Sequence, residues 1–145
     1  MEPPGLIPQR KPTFCVCSIL QGILNNHGIQ ISQEEIANNL TPSAKGHRVD
    51  DHKIKDFLRL KGFEYNFYWH NETPFNEPLD LVDEISINHG LMAYGTHAYR
   101  IIRFEYPFIV AEDPADSSRR RFEFRALMRE IGERGGGFGL IRRLD

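Results

Sequence analysis

Up to Gly62 the apolar positions of this chain recur at three- and four-residue steps; beyond it, short alternating or continuous apolar runs take over. Residues 1 to 12 read as an extended lead-in, because Pro3, Pro4, Pro8 and Pro12 exclude a helix. Pro12 breaks the chain and Thr13 offers a cap. Leu20, Ile23, Leu24 and His27 then mark one face of a helix that Gly28 stops. Ser32, with Glu35 three positions later, makes a capping box for a short helix through Leu40. Thr41 to Gly46 reads as a loop. Asp50 or Asp51 caps a third helix, with Ile54, Phe57 and Leu58 on one face and Gly62 at its end.

Phe63 to Trp69 is aromatic and alternating, which predicts a strand. Asn76 and Pro78 open another amphipathic helix, carrying Leu79, Val82 and Ile85 and ending near Gly90. Leu91 to Tyr94 is a short buried strand. His97 to Phe104 and Pro107 to Ala111 are two more, joined by a turn near Glu105 and Tyr106. A helix around Phe122 to Ile131 and a last strand, Phe138 to Arg142, complete the pattern. Helices come mostly first and strands mostly last, so the expected class is α+β with an antiparallel sheet.

The 145 residues fit one domain, 1–145, large enough to bury a core without staples. Hydrophobic residues make up 40% and charged residues 26%, with a formal net charge of -2, an ordinary globular composition. A general nucleic-acid binder would be clearly basic, so that class is set aside. The two cysteines, Cys15 and Cys17, are too close for a normal bridge, which points to a reducing compartment. No apolar run reaches membrane-spanning length, and the first residues lack the apolar core of a secretory signal. The expected location is cytoplasmic, with non-classical export as the other option.

Cys15 falls in the first turn of its helix, where unpaired amides and the positive end of the dipole favour a thiolate. That makes it a candidate nucleophile. His97 and Asp113 are symmetric about residue 105, the expected turn. In a symmetric hairpin they would lie directly opposite, the Asp accepting the Nδ1 proton and turning the other ring nitrogen to the thiol. Gln9, six residues before Cys15 and across the Pro12 bend, is placed to join the Cys15 N–H as an oxyanion donor. Each residue also has a plainer reading. Cys15 or Cys17 alone fits a small buried hydrophobe, and Cys17 points away from Cys15 around the helix. His97 fits a strand histidine bonded to a carbonyl, and Asp113 a turn cap before Pro114. His27 fits a helix C-terminus, where positive charge is favoured. Arg119, Arg120 and Arg121, beside Arg125, read as a solvated loop and helix start. Two thiols one residue apart, without a second pair of ligands, do not make a zinc site.

The order of these features resembles a known family. Gln-x5-Cys, a Leu five past the Cys and a Gly thirteen past it occur here as Gln9, Cys15, Leu20 and Gly28. This is similar to the bacteriocin-processing, double-glycine-leader cysteine peptidases, which have a papain-like fold. ISQEEIANNL, HAYRII and AEDPAD look like that family's second helix, His-led strand and Asp-Pro strand end, so the resemblance runs from Gln9 to the final GFGLIRR. It implies that Cys15 is the nucleophile, His97 its base, Asp113 the orienter and Gln9 part of the oxyanion hole, with no metal or organic cofactor. The expected partner is a peptide or protein substrate. The chain departs from the pattern at Val16, where the family has Gly, which raises the question of a narrowed cleft. The family's usual fusion to a membrane exporter is not seen, and its leader specificity is not carried over. The same triad could instead serve a protein glutamine deamidase or transglutaminase, or survive in a non-catalytic binding module.

Overall fold

The computed structural model of the protein describes residues 4–41, 49–69, 89–94, 97–105, 107–133 and 135–144. Helix α1 (Cys15–Asn26) forms where the three- and four-residue spacing placed it, and buries Val16, Cys17, Ile19, Leu20, Ile23 and Leu24. It ends at His27, followed by Gly28 at φ +82°, a conformation that costs a glycine nothing. The cap differs from expectation. Phe14, not Thr13, precedes the helix, and no side chain caps it. Helix α2 (Gln33–Leu40) starts at Ser32, whose Oγ accepts from the Glu35 N–H, as expected of the capping box. Helix α3 (Asp51–Leu60) is capped by Asp50, which accepts from the His52 N–H, and buries Ile54, Phe57 and Leu58.

Six strands form one sheet: β1 (Phe63–Trp69), β2 (His89–Tyr94), β3 (Ala98–Glu105), β4 (Phe108–Glu112), β5 (Arg119–Glu123) and β6 (Gly137–Arg143). Their order is β1-β6-β2-β3-β4-β5, and every pair is antiparallel. Helix α4 (Phe124–Glu133) lies between β5 and β6 in the chain. The α+β class expected from the sequence is the class observed. The helix expected from Asn76 lies outside the described residues, though Gly90, its expected end, is already inside β2.

Side-chain alternation divides the sheet between two cores. Phe63, Tyr65, Ala98 and Ile141 join the apolar faces of α1, α2 and α3. Ile101, Ile109, Ala111, Phe138 and Leu140 join Phe124, Leu127 and Ile131 of α4. Burial of this much apolar surface on both faces is what holds the layers together. Gly137 is required by the β1–β6 pairing: a Cβ there would meet the Tyr68 carbonyl oxygen at 2.0 Å and the Trp69 Cα at 2.8 Å.

Three sequence expectations are corrected. Arg119 to Arg121 form an edge strand rather than a solvated loop, and α4 starts at Phe124, with Phe122 left in β5. Charge hid the strand, because basic side chains suit an exposed edge while the backbone pairs with β4. His27 does sit at the C-terminus of α1, but burial first, and then Arg143, pushes its pKa down. Both work against the positive charge expected at a helix C-terminus. Among the described residues no helix is long and apolar enough to cross a membrane.

Candidate active site

Cys15 is the first residue of α1 and is half-buried, while Cys17 is fully buried; both are free thiols. With no side chain capping α1, the first-turn amides stay directed at the space in front of the helix. Burial pushes the Cys17 thiol up to about 12, so it stays protonated and unreactive at neutral pH. Val16 is 1% exposed and packs inward, so its side chain does not narrow the approach to Cys15.

His97 lies just before β3 and Asp113 just after β4. The imidazole Nε2 is 2.7 Å from the Asp113 Oδ1, and Cys15 lies near enough to act on the ring's charge. Cys15 is the largest influence on the ring; with help from Asp113 it outweighs burial and raises the His97 pKa to about 9. Asp113 is held firmly. Its Oδ1 also accepts from the Ala115 N–H at 2.9 Å, its N–H donates to the Ser118 carbonyl, and its carbonyl accepts from Ser117. Ser117 adopts φ +61° in this turn, a left-handed conformation uncommon for a side-chain-bearing residue. The Tyr99 ring stands edge-on to the imidazole at 5.0 Å between centroids.

The contact arises by a different geometry from the one the sequence suggested. Glu105 pairs with Phe108 at the turn, and a β-bulge between Ile101 and Arg103 shifts the ladder, so that Arg100 pairs with Glu112. Extending that register sets Asp113 opposite residue 99 rather than 97, and the His97–Asp113 pair becomes a diagonal one. The bulge also explains how Ile101 and Phe104, three apart, both face α4. The ring orientation is reversed as well. Asp113 takes Nε2, which leaves Nδ1 for the sulfur.

Gln9 is near the helix start, but its amide is not free. Nε2 donates to the carbonyls of Lys11 at 3.0 Å and Pro12 at 3.2 Å, and Oε1 is buried with no partner among the described residues. The Gln9 N–H donates to the Pro114 carbonyl at 2.7 Å, which ties the lead-in to the end of β4. Among the described residues no three His, Cys, Asp or Glu side chains gather as a metal site would need.

A second set of polar residues supports the site and escaped the sequence reading. Arg100, 2% exposed, is paired with the fully buried Glu112 at 2.5 Å, and Glu112 also accepts from the Leu6 N–H at 3.1 Å. Burial pushes the Arg100 guanidinium down from its ordinary value, and Glu112 opposes that. Gly22 makes room for this contact: a Cβ there would meet Leu6 at 2.4 Å and Arg100 at 3.2 Å. The Ser18 Oγ donates to the Ile7 carbonyl, and the Gln33 amide binds Ile7, Pro8, Arg10 and Gln21. The available signal was Gln33 itself, a polar residue on the same helix face as Ile36 and Leu40.

No protein-family model matches this chain, and no curated protein does at a significant level. Solved structures do. The chain is similar to the peptidase domain of Streptococcus ComA, a bi-functional ABC transporter involved in quorum sensing, with TM-score 0.69 and 15% identity over 97% of this chain and 98% of that one. It is also similar to a double-glycine motif protease from an AMS/PCAT transporter, solved with the leader peptide, with TM-score 0.67 and 17% identity over 99% of both chains. At these identities the likeness establishes a shared papain-like fold across nearly the whole chain.

Proposed function

We propose that this protein, built on the fold of those peptidase domains, is a cysteine peptidase-type hydrolase acting on a peptide or protein substrate through Cys15, His97 and Asp113. The observation that carries this reading is the imidazole bonded to a buried carboxylate at 2.7 Å, with the helix-head Cys15 the largest influence raising its pKa. A ring that keeps its proton to about pH 9 donates through Nε2 to Asp113 and leaves a protonated Nδ1 for the side of Cys15, the arrangement a thiol hydrolase uses.

In the reaction, the Cys15 sulfur bonds to the substrate carbonyl carbon, and the C=O π electrons move to oxygen. The Cys15 N–H and the Gln9 Nε2 stabilise that oxyanion, Gln9 turning one hydrogen from the Lys11–Pro12 bend toward it. His97 gives its Nδ1 proton to the departing amine as the C–N bond breaks, leaving a thioester. Neutral His97 then takes a proton from water, whose oxygen attacks the thioester; the C–S bond breaks with its electron pair on sulfur, the acid departs, and His97 keeps the proton for the next cycle. Asp113 keeps the ring in the tautomer and orientation both steps need. Both cysteines being free thiols suits a reducing compartment.

The test is alkylation by iodoacetamide across a pH series with the labelled residue mapped by mass spectrometry, beside digestion of a peptide library. Cys15 should label rapidly at pH 6 and lose that rate in His97→Ala, and Cys15→Ala should abolish cleavage while keeping the fold. Retained cleavage in Cys15→Ala, or equal labelling in wild type and His97→Ala, would overturn the assignment.

A further inference from the structure

We infer that Gln33, a residue of α2 with no contact to the reacting atoms, is the positioning residue for the oxyanion donor Gln9. This rests on the hydrolase reading above. The argument is one of backbone geometry. A residue's φ and ψ are set by the orientations of the two peptide planes that meet at its Cα. The plane before the Gln9 Cα carries the Pro8 carbonyl, which accepts from the Gln33 Nε2 at 3.1 Å. The plane after it carries the Arg10 N–H, which donates to the Gln33 Oε1 at 2.8 Å. One amide therefore grips both planes. The same Nε2 reaches the Ile7 carbonyl at 3.2 Å and the Gln21 Oε1 at 3.0 Å, and the Gln21 Nε2 donates to the Ile31 carbonyl at 3.0 Å.

Gln33 is wholly buried and Gln21 is 8% exposed, so the glutamine ends of these bonds are shielded from water. The Gln9 N–H adds the bond to Pro114, immediately after Asp113. The stem that launches the Gln9 side chain is thus fixed to α2 on one side and to the orienting carboxylate's turn on the other. Gln9 needs that support because its own amide is held only through nitrogen, by two carbonyls of the bend. A glutamine at the Gln33 position is a poor choice for core packing and a good one for holding two peptide units at once.

The prediction separates oxyanion stabilisation from nucleophile reactivity. Alkylation by iodoacetamide is a displacement at carbon that forms no oxyanion. Addition of the Cys15 thiolate to a peptide aldehyde forms an S–C bond and converts the carbonyl π pair to an oxyanion, which is then protonated. A panel of acetylated tripeptide aldehydes, varied at the residue bearing the aldehyde, is the probe. Gln9→Ala should weaken the best aldehyde's binding about 10²-fold. Gln33→Met should weaken it about 10- to 100-fold, the range for misplacing a catalytic group by about 1 Å. It should leave the rate and pH profile of Cys15 alkylation within about twofold. Combined with Gln9→Ala, it should add almost nothing, because it acts through Gln9.

Gln33→Glu provides a second route if Gln33→Met does not fold. Ionised, it turns an oxygen on the Pro8 carbonyl; protonated, it restores a donor, so aldehyde binding should recover as pH falls. Unchanged aldehyde binding in Gln33→Met, a loss additive with Gln9→Ala, or a parallel fall in Cys15 alkylation would overturn this role alone. A wild-type protein that binds none of the aldehydes would overturn the hydrolase reading and this role with it.

Discussion

Glu112 immediately precedes Asp113, and removing its side chain should be among the most damaging single changes near the candidate site. In Glu112→Ala the Arg100 guanidinium, 2% exposed, loses the carboxylate that accepts from its Nε at 3.1 Å and Nη2 at 2.5 Å. Of its nitrogens, Nη1 already has no partner among the described residues, and Nη2 keeps only the Pro4 carbonyl at 2.7 Å. The buried Leu6 N–H loses its acceptor as well. Stranding one member of a buried pair costs about 3–5 kcal/mol, and an orphaned buried N–H about 1–3 kcal/mol. The two overlap, because the lead-in can shift to relieve both, so about 3–5 kcal/mol is the expected total. Against a native stability of about 5–15 kcal/mol this is a large share, and it corresponds to a fall in Tm of about 6–20 °C. Urea unfolding at pH 7 measures it. The companion variant Arg100→Met with Glu112→Leu removes both charges and should be more stable than Glu112→Ala by about 1–3 kcal/mol. A Glu112→Ala protein within about 1 kcal/mol of wild type would refute the reasoning, as would a double variant no better than the single one.

Three further outcomes are expected. Because the His97 pKa is raised to about 9, the ring holds its proton through neutrality and loses it as pH rises through about 9, so kcat/KM should fall above that pH. In Asp113→Asn that limb should move to lower pH, and an unmoved limb would count against the pair. Cys17, buried and held near 12, should resist iodoacetamide in the native protein at pH 8 and label only in urea, which peptide mapping shows directly. Gly137→Ala sets a methyl group against the backbone of Tyr68 and Trp69, neither of which can swing aside, and should destabilise by at least about 1–3 kcal/mol in thermal unfolding.

Local chemistry wrote much of this protein into its sequence. The three N-terminal helices follow from their periodicity, from Ser32 and Asp50 as caps, and from Gly28 and Gly62, which take φ +82° and +90° where helices end. The strands from Phe63 and from His97 were legible because alternation and aromatic or β-branched content depend only on near neighbours. Cys15, His97, Asp113 and Gln9 could be singled out as candidates from their side-chain types, and the structure brings His97 against Asp113. What lay beyond the sequence depends on long-range contacts. The edge strand β5 exists because β4 offers it backbone partners, against the bias of three arginines. The insertion of β6 between β1 and β2 is a matter of topology. The bulge at Ile101–Arg103 moved the register and made His97 and Asp113 diagonal neighbours, and the tertiary contact decided which ring nitrogen meets the carboxylate. Gln33 and Glu112 reach residues 25 and 106 positions away, at Pro8 and Leu6, and a buried polar group is satisfied only by partners that folding delivers.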